Sequence, residues 1–305
     1  MVQFGTEKLG KLKSVMLHTP YRSLDLINRD NYKYYLFNKV PHHHKFIKEH
    51  IRYEKFLKSL GIVVFQLSNL IYENQDLLYK LPNLAYLHDV GVVLSKGAIL
   101  SRMCPGGREH EETVLKEALT RLGIPTFHQF NKGEKFEGCL VLSPDTLLVA
   151  NTERHTEASI MKSIPKFLEI FKKVIYVKIP KLRRYMHTDM IYNRISDSLA
   201  LAYLPAFLKT FLFTKDTKIQ IDFENYMSNN GVEVINISNR EQLNWGCSFV
   251  PLEPNIIIHY DFSLNTRTQS MLKERGVRII KFHPDALLAG GGSLRCFTLR
   301  LYREV

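Results

Sequence analysis

The sequence predicts an α/β fold assembled from one unit, strands plus a helix, that recurs about five times. Three observations carry this. Five segments share a grammar in which a helical stretch meets a stop and then a short apolar strand: FIKEHIRYEKFLKSLG-IVVFQL, HEETVLKEALTRLG-IPTFHQF, HTEASIMKSIPKFLEIFKK-VIYVKI, FENYMSNNG-VEVINI and TQSMLKERG-VRIIKF. Four of the stops are Gly61, Gly123, Gly231 and Gly276, where a helix C-terminus takes a left-handed residue. The strands that follow begin at Ile62, Ile124, Val174, Val232 and Val277, spaced by 62, 50, 58 and 45 residues. An ordinary α/β domain with loose regularity is the competing reading, and five matched stops favour the repeat.

Each element has its own reason. In the second unit Leu115, Ala118, Leu119 and Leu122 fall at i, i+3, i+4 and i+7, one face of a helix. The third unit lacks the glycine. Its helix is expected to run to Lys172-Lys173, whose charges suit a helix C-terminus. Between the units lie further strand-like segments, GVVLSKGAILSR, CLVLSPDTLLVANT and SLALAYL. No Pro/Gly/Ser linker interrupts the chain, so residues 1–305 read as a single domain. Five units in a ring bring the inner ends of distant strands around one cleft.

Composition narrows the class. The chain has 305 residues, 45% of them hydrophobic, enough for a substantial core. No apolar run reaches the roughly 18 residues of a spanning helix, and Met1 to Lys13 has no signal-peptide core. Neither a membrane partner nor export is expected. Cys104, Cys139, Cys247 and Cys296 form no CxxC pair and no zinc spacing, which fits a reducing, cytoplasmic compartment and leaves a reactive thiol open. The formal net charge of +12 comes from scattered lysines without a nucleic-acid module, so it reads as a solvated surface. His42-His43-His44 reads as an exposed loop after Pro41, and no metal site is assigned to it.

Chemistry-bearing residues stand in four places. AGGGSLRCFTLRL sets Gly290, Gly291 and Gly292 a few residues before Cys296, with a strand after it. Glycines there let backbone approach a ligand, and a cysteine at a loop-to-strand junction can be exposed and activated. YMHTDMIY sets His187 and Asp189 two apart, which on a strand puts both on one side. FEGCLVL carries Glu137 at the start of an apolar strand, and LPNLAYLHDVGVVL carries Asn83 and Asp89 before another. Carboxylates beside core strands need partners. Taken singly, each of these has an ordinary structural reading: a buried thiol, a hydrogen-bonded pair, a cap or a turn.

Together the segments resemble the arginine deiminase family, within the wider guanidino-group-modifying superfamily, almost end to end. KLKSVMLHTP is similar to the family's first strand, and YLFNKVPHHHKFIKEHIRYEKFLKSLGIVVFQL to the helix and strand after it. LPNLAYLHD resembles LPNxxFxRD, and GAILSRMCPGGREHE resembles the next hairpin and helix start. FEGCLVL resembles EGGDVL, NTERHT resembles the GERT segment, MHTDMIY resembles MHLDT, and GGGSLRC resembles the glycine-rich cysteine loop. The resemblance implies a five-bladed α/β propeller, the pentein fold, of strand-strand-helix-strand repeats. It also implies hydrolysis of the guanidino group of free L-arginine, or a close analogue, to a ureido product and ammonia, without metal or cofactor. By this similarity Cys296 is the nucleophile and His187 the proton shuttle. Asp89 and Asp189 grip the guanidinium, and Glu137 completes the cation site. Asn83, Arg108, Arg154 and Gly290 hold the amino-acid end, the two arginines facing the α-carboxylate.

Such chemistry is coherent in itself. A guanidinium carbon is a poor electrophile, carboxylates can orient it, and a thiolate is nucleophilic enough to attack it near neutral pH. An arginine pair suits planar carboxylate recognition. Three departures from the family pattern stand out. His88 replaces an arginine, Cys139 and Leu140 replace the Gly-Asp of EGGD, and only a brief link joins Leu67 to Leu81, where typical members carry a helical insertion. The expected partner is a small guanidino compound, with no nucleic acid and a homo-oligomer left open. The competing functions are an amidinotransferase or arginine dihydrolase using the same cysteine adduct, and a non-catalytic arginine-binding protein.

Overall fold

The glycine stops act as expected. Gly61, Gly123, Gly231 and Gly276 have φ of +79, +77, +76 and +73°. They follow the helices His43–Ser59, Glu111–Arg121, Phe223–Asn229 and Thr266–Glu274. The left-handed conformation reverses the chain there, and a Cβ would clash with its own backbone. In the third unit the helix Glu157–Phe167 ends earlier than expected. Pro165 lies inside it, turn residues follow, and Lys173 is already in a strand. Lys172 pairs instead with Asp145 at 3.0 Å. The histidine run is likewise corrected: His42 caps the first helix and His43 starts it, with His43 Nδ1 3.0 Å from Asp25.

The computed structural model describes residues 2–104 and 106–305; Met1 and Pro105, the latter inside the GAILSRMCPGGREHE motif, lie outside the described residues. The strands are β1 Lys11–Leu17, β2 Val63–Gln66, β3 Gly91–Leu94, β4 Gly97–Leu100, β5 Thr126–Gln129, β6 Leu140–Ser143, β7 Thr146–Asn151, β8 Lys173–Lys178 and β9 Tyr192–Arg194. They continue with β10 Leu199–Ala202, β11 Lys209–Phe213, β12 Lys218–Ile221, β13 Glu233–Asn236, β14 Val250–Glu253, β15 Ile256–Tyr260, β16 Arg278–Phe282 and β17 Leu299–Glu304. The chain divides into two compact units. The first is Met1–Thr6, Leu12–Gly133 and Pro284–Glu304; the second is Glu7–Lys11, Glu134–His283 and Val305.

The first unit holds two sheets, β17-β1-β2 and β3-β4-β5. β3 and β4 form an antiparallel hairpin, and β5 returns parallel to β4 after the helix Glu111–Arg121. β2 returns parallel to β1 after the helix His43–Ser59. The chain's last strand, β17, completes the repeat that its first strand opens. Helix residues Phe46, Tyr53 and Leu57 are buried, and Leu115, Ala118 and Leu119 pack with Met16, Leu100 and Leu299 in one core.

In the second unit the same order appears three times. β6-β7-β8, β9-β10-β13 and β14-β15-β16 each combine an antiparallel pair with a parallel crossover through a helix. One hairpin breaks the pattern. β11 and β12 are inserted before the helix Phe223–Asn229, and β11 pairs antiparallel with β8, which makes a five-stranded sheet. Its outer strand β12 is exposed and carries Lys218, a charge suited to an open edge. The central strands are buried on both faces, as in Leu147 to Asn151, which explains their unbroken apolar runs. The fold is thus mixed α/β, with five sheets among the described residues. None of the helices among these residues is long and apolar enough to cross a membrane.

Candidate active site

The predicted site residues fall into both units. In the first, Pro82 opens the single 3-10 turn Pro82–Ala85, suited by its fixed φ, and a second turn, Leu87–Asp89, leads into β3. Asn83 is buried and donates its side-chain N–H to the Tyr35 carbonyl. Asp89 Oδ2 accepts from Arg108 Nη1 at 2.8 Å. The same guanidinium donates from Nε and Nη2 to Glu111 Oε2 at 3.0 and 2.8 Å, and from Nη2 to the Tyr86 carbonyl at 3.3 Å. All three charged side chains are 4% exposed or less. Charges so desolvated persist only when paired and hydrogen-bonded, so this triad is a locked assembly. His88 beside it is buried.

The glycine run serves the protein's own ring as well as the cysteine. A Cβ on Gly290 would stand 1.6 Å from the Tyr86 hydroxyl, and one on Gly292 would stand 2.4 Å from the same ring. Tyr86 in turn stacks on Phe297 with centroids 4.8 Å apart. The close approach read from the sequence is therefore made by Tyr86. Cys296 does not sit at a loop-to-strand junction: a helical turn, Leu294–Phe297, intervenes before β17. Ser293 caps that turn, accepting from the Cys296 N–H at 3.4 Å, and its Oγ lies 3.4 Å from the Cys296 Sγ. Cys296 is 4% exposed.

In the second unit Glu137 lies three residues before β6 and is fully buried. Gly138, with φ +73°, turns the chain there. Glu137 Oε2 is 2.9 Å from His187 Nε2, and its Oε1 is 3.8 Å from Arg154 Nη1. Arg154 also reaches Glu153 at 3.2 Å and the Met186 sulfur at 3.7 Å. The His-x-Asp pair is not on a strand. His187 has extended backbone, and the chain then coils through the 3-10 turn Thr188–Met190, which contains Asp189. Asp189 accepts a hydrogen bond from Ser248. Both His187 and Asp189 are buried. Cys139 and Leu140, the departures beside Glu137, are buried apolar contributors.

The structure therefore joins Asp89 with Arg108 in the first unit, and Glu137 with His187 and Arg154 in the second. Four further contacts escaped the sequence reading. Glu111 was visible only as an i, i+3 partner of Arg108 at a helix start. His155 lies near Glu137 and His187; burial, opposed by Glu137, lowers its pKa to about 4. Ser248 and Tyr86 gave no local signal. Chemically, a carboxylate hydrogen-bonded to an imidazole holds that ring in one orientation. A capped thiol on a short turn is a nucleophile candidate.

A family model described as arginine deiminase matches residues 72–303. The chain belongs to the arginine deiminase family, hydrolases of guanidino groups. It is similar to the arginine deiminase of Streptococcus pyogenes, 24% identical over 400 aligned positions that cover 97% of each chain. The arginine deiminase of Borrelia recurrentis is 22% identical over 399 positions, again 97% of each. Both alignments are longer than this chain's 305 residues, so these relatives carry segments that it lacks. Among solved structures, the N-terminal domain of ArgZ bound to product, an arginine dihydrolase from the ornithine-ammonia cycle in cyanobacteria, superposes with a TM-score of 0.70. It is 20% identical, covering 94% of this chain and 96% of that one. AgrE in ternary complex with ornithine and NAD+ gives 0.72 at 19% identity; the match covers 96% of this chain but 39% of AgrE. A dimethylarginine dimethylaminohydrolase adduct gives 0.67 at 15% identity, covering 95% of this chain and 99% of that one. These structures share the mixed α/β fold.

Proposed function

We propose that the protein hydrolyses the guanidino group of free L-arginine, or a close analogue, to a ureido product and ammonia. The observation that carries this reading is the buried Glu137–His187 contact at 2.9 Å with Arg154 beside the same carboxylate, in a chain of this family. In the proposed course the Cys296 thiolate adds to the guanidinium carbon. The C–N bond then breaks as His187 gives its proton to the departing ammonia, leaving a thiouronium adduct. Water, deprotonated by His187, adds to that carbon, and the C–S bond breaks to return the thiolate and release citrulline when arginine is the substrate. Asp89 and Asp189 orient the guanidinium, and Glu137 holds His187 and the cation. Asn83, Arg154 and Gly290 bind the amino-acid end, and Arg108, expected beside them, holds Asp89 instead at 2.8 Å.

This reading takes the five repeats as blades of one α/β propeller, and residues 1–305 as one catalytic domain in a cytoplasmic compartment. Four free cysteines fit that compartment. Incubation with arginine followed by mass spectrometry tests the reaction. Citrulline and ammonia, both lost in Cys296→Ala, are expected. Ornithine, or a new guanidino compound formed with an added amine, would replace this reading with a dihydrolase or an amidinotransferase. Tight arginine binding without turnover would make the chain a binding protein.

A further inference from the structure

The hairpin that breaks the repeat also leaves the second unit with an open sheet edge. β12 is the outermost strand of the five-stranded sheet, and its residues Lys218, Ile219 and Gln220 are exposed. The closure of the hairpin decides which backbone groups face outward. Thr214 donates its N–H to the Thr217 carbonyl at 2.9 Å, so this pair is hydrogen-bonded across the hairpin. Hydrogen-bonded and non-hydrogen-bonded pairs then alternate along an antiparallel ladder. The register is Phe213↔Lys218, Leu212↔Ile219, Phe211↔Gln220 and Thr210↔Ile221. Ile219 and Ile221 therefore bond to β11, while the N–H and C=O groups of Lys218 and Gln220 point away from the sheet. Side chains alternate as well. Ile219 and Ile221 share a face with Leu212, a core residue, yet Ile219 is 50% exposed. Ile221 lines a groove beside this edge together with Phe207, Leu208 and Gln220.

We propose that two copies of this chain pair antiparallel through β12, about a two-fold axis at Gln220, and join their sheets into one. The edge sequence Lys218-Ile219-Gln220-Ile221-Asp222 is its own complement in that register. Lys218 meets Asp222 of the copy, Ile219 meets Ile221, and Gln220 meets itself. The backbone agrees: Gln220 is an outward-facing residue, so the two copies exchange both of its hydrogen bonds at the axis. An axis at Lys218 or at Asp222 would instead set like charges opposite each other. Ile219 and Ile221 of the copy form the closer, non-hydrogen-bonded pair, which covers the exposed Ile219. Lys218 and Asp222 are both exposed, and neither forms an ion pair among the described residues. Asp222 spends one oxygen on its helix, accepting from the Asn225 N–H at 2.8 Å, and its second oxygen serves the lysine of the copy. A lysine on an edge discourages pairing with unrelated strands, and here the copy supplies its counter-charge. The contact is isologous, so each charge pair occurs twice.

Sedimentation velocity of the full chain from about 1 to about 200 µM tests this, the range in which an interface below standard size dissociates. A shift from monomer toward dimer with rising concentration is expected. Lys218→Glu, at an exposed position, sets two glutamates against two aspartates and weakens the dimer about tenfold. Asp222→Asn keeps the helix cap, removes the charge and weakens it less. Gln220→Pro removes the outward N–H without touching the ladder to β11 and abolishes the dimer, with a thermal melt to confirm its fold. Gln220→Cys reads the register: opposed Cα atoms at the axis lie about 5.5 Å apart, within disulfide reach, so mild oxidation links two chains where the parent stays unlinked. The proposal falls if the parent is monomeric throughout, which leaves the edge to water or to a strand of another protein. It falls equally if Lys218→Glu and Gln220→Pro dimerise as the parent does, which places the contact elsewhere. The readout is independent of turnover, so its failure and that of the guanidine reaction are separate results.

Discussion

Arg108 and Arg154 differ in how the protein holds them, and the difference separates architecture from recognition. In the first unit Arg108 donates to Asp89, Glu111 and the Tyr86 carbonyl, every contact at 3.3 Å or less, on groups almost wholly desolvated. In the second unit Arg154 is 3.8 Å from Glu137 and 3.2 Å from a partly exposed Glu153. Both arginines are buried, but the first neutralises two carboxylates while the second shares one with His187. A guanidinium with tight internal partners contributes mainly to folding. The second is the one that the proposed reaction sets against a substrate carboxylate.

Removal of each side chain breaks or sharpens that contrast. Arg108→Ala leaves Asp89 and Glu111 without their cation and costs about 3–5 kcal/mol, read as a lower urea midpoint. A loss under about 1 kcal/mol would erase the distinction. Arg154→Ala raises KM for arginine by about ten- to a hundredfold, the worth of a charge-assisted carboxylate contact, with a smaller stability loss. A large midpoint shift with unchanged KM would reverse the assignment.

Acid should weaken both units alike. Burial, the largest cause at each site, holds His18 at about 3 and His50 at about 4 in the first unit, and His155 and His259 at about 4 in the second. Unfolded histidines bind protons near 6.5, so below that pH the unfolded chain gains protons that the folded chain refuses. Stability therefore falls as pH drops from about 6.5 toward 4, by on the order of 1 kcal/mol per histidine per pH unit, while above 6.5 these groups contribute no slope. Denaturation midpoints at pH 7 and pH 5 check this, and equal midpoints would contradict it. The smallest effect is expected at the helix stops. Gly61→Ala and Gly231→Ala meet no neighbour within 4 Å but force alanine to a φ near +79 and +76°, costing about 1 kcal/mol each in either unit. Thermal melts of the two variants should match.

Most of the repeat was legible because its signals are local. A glycine after a helical stretch and an apolar run after the glycine can be read without knowing what packs against them. The same reading overran the helix at Phe167, and it missed the β11–β12 hairpin, whose place beside β8 is a long-range pairing. The site was less legible. His187 and Asp189 were singled out, but as strand neighbours, and the glycine loop was read as an approach for a ligand when Tyr86 fills it.

By itself the sequence determined which residue types stand at which points of a repeated α/β unit, because caps, periodicity and motif order depend only on neighbours along the chain. Only the tertiary structure decided their partners: Glu137 against His187, Arg108 between Asp89 and Glu111, Tyr86 in the glycine cradle. Those choices rest on burial, which removes water as the competing partner and so makes one particular contact between distant residues worth more than all others.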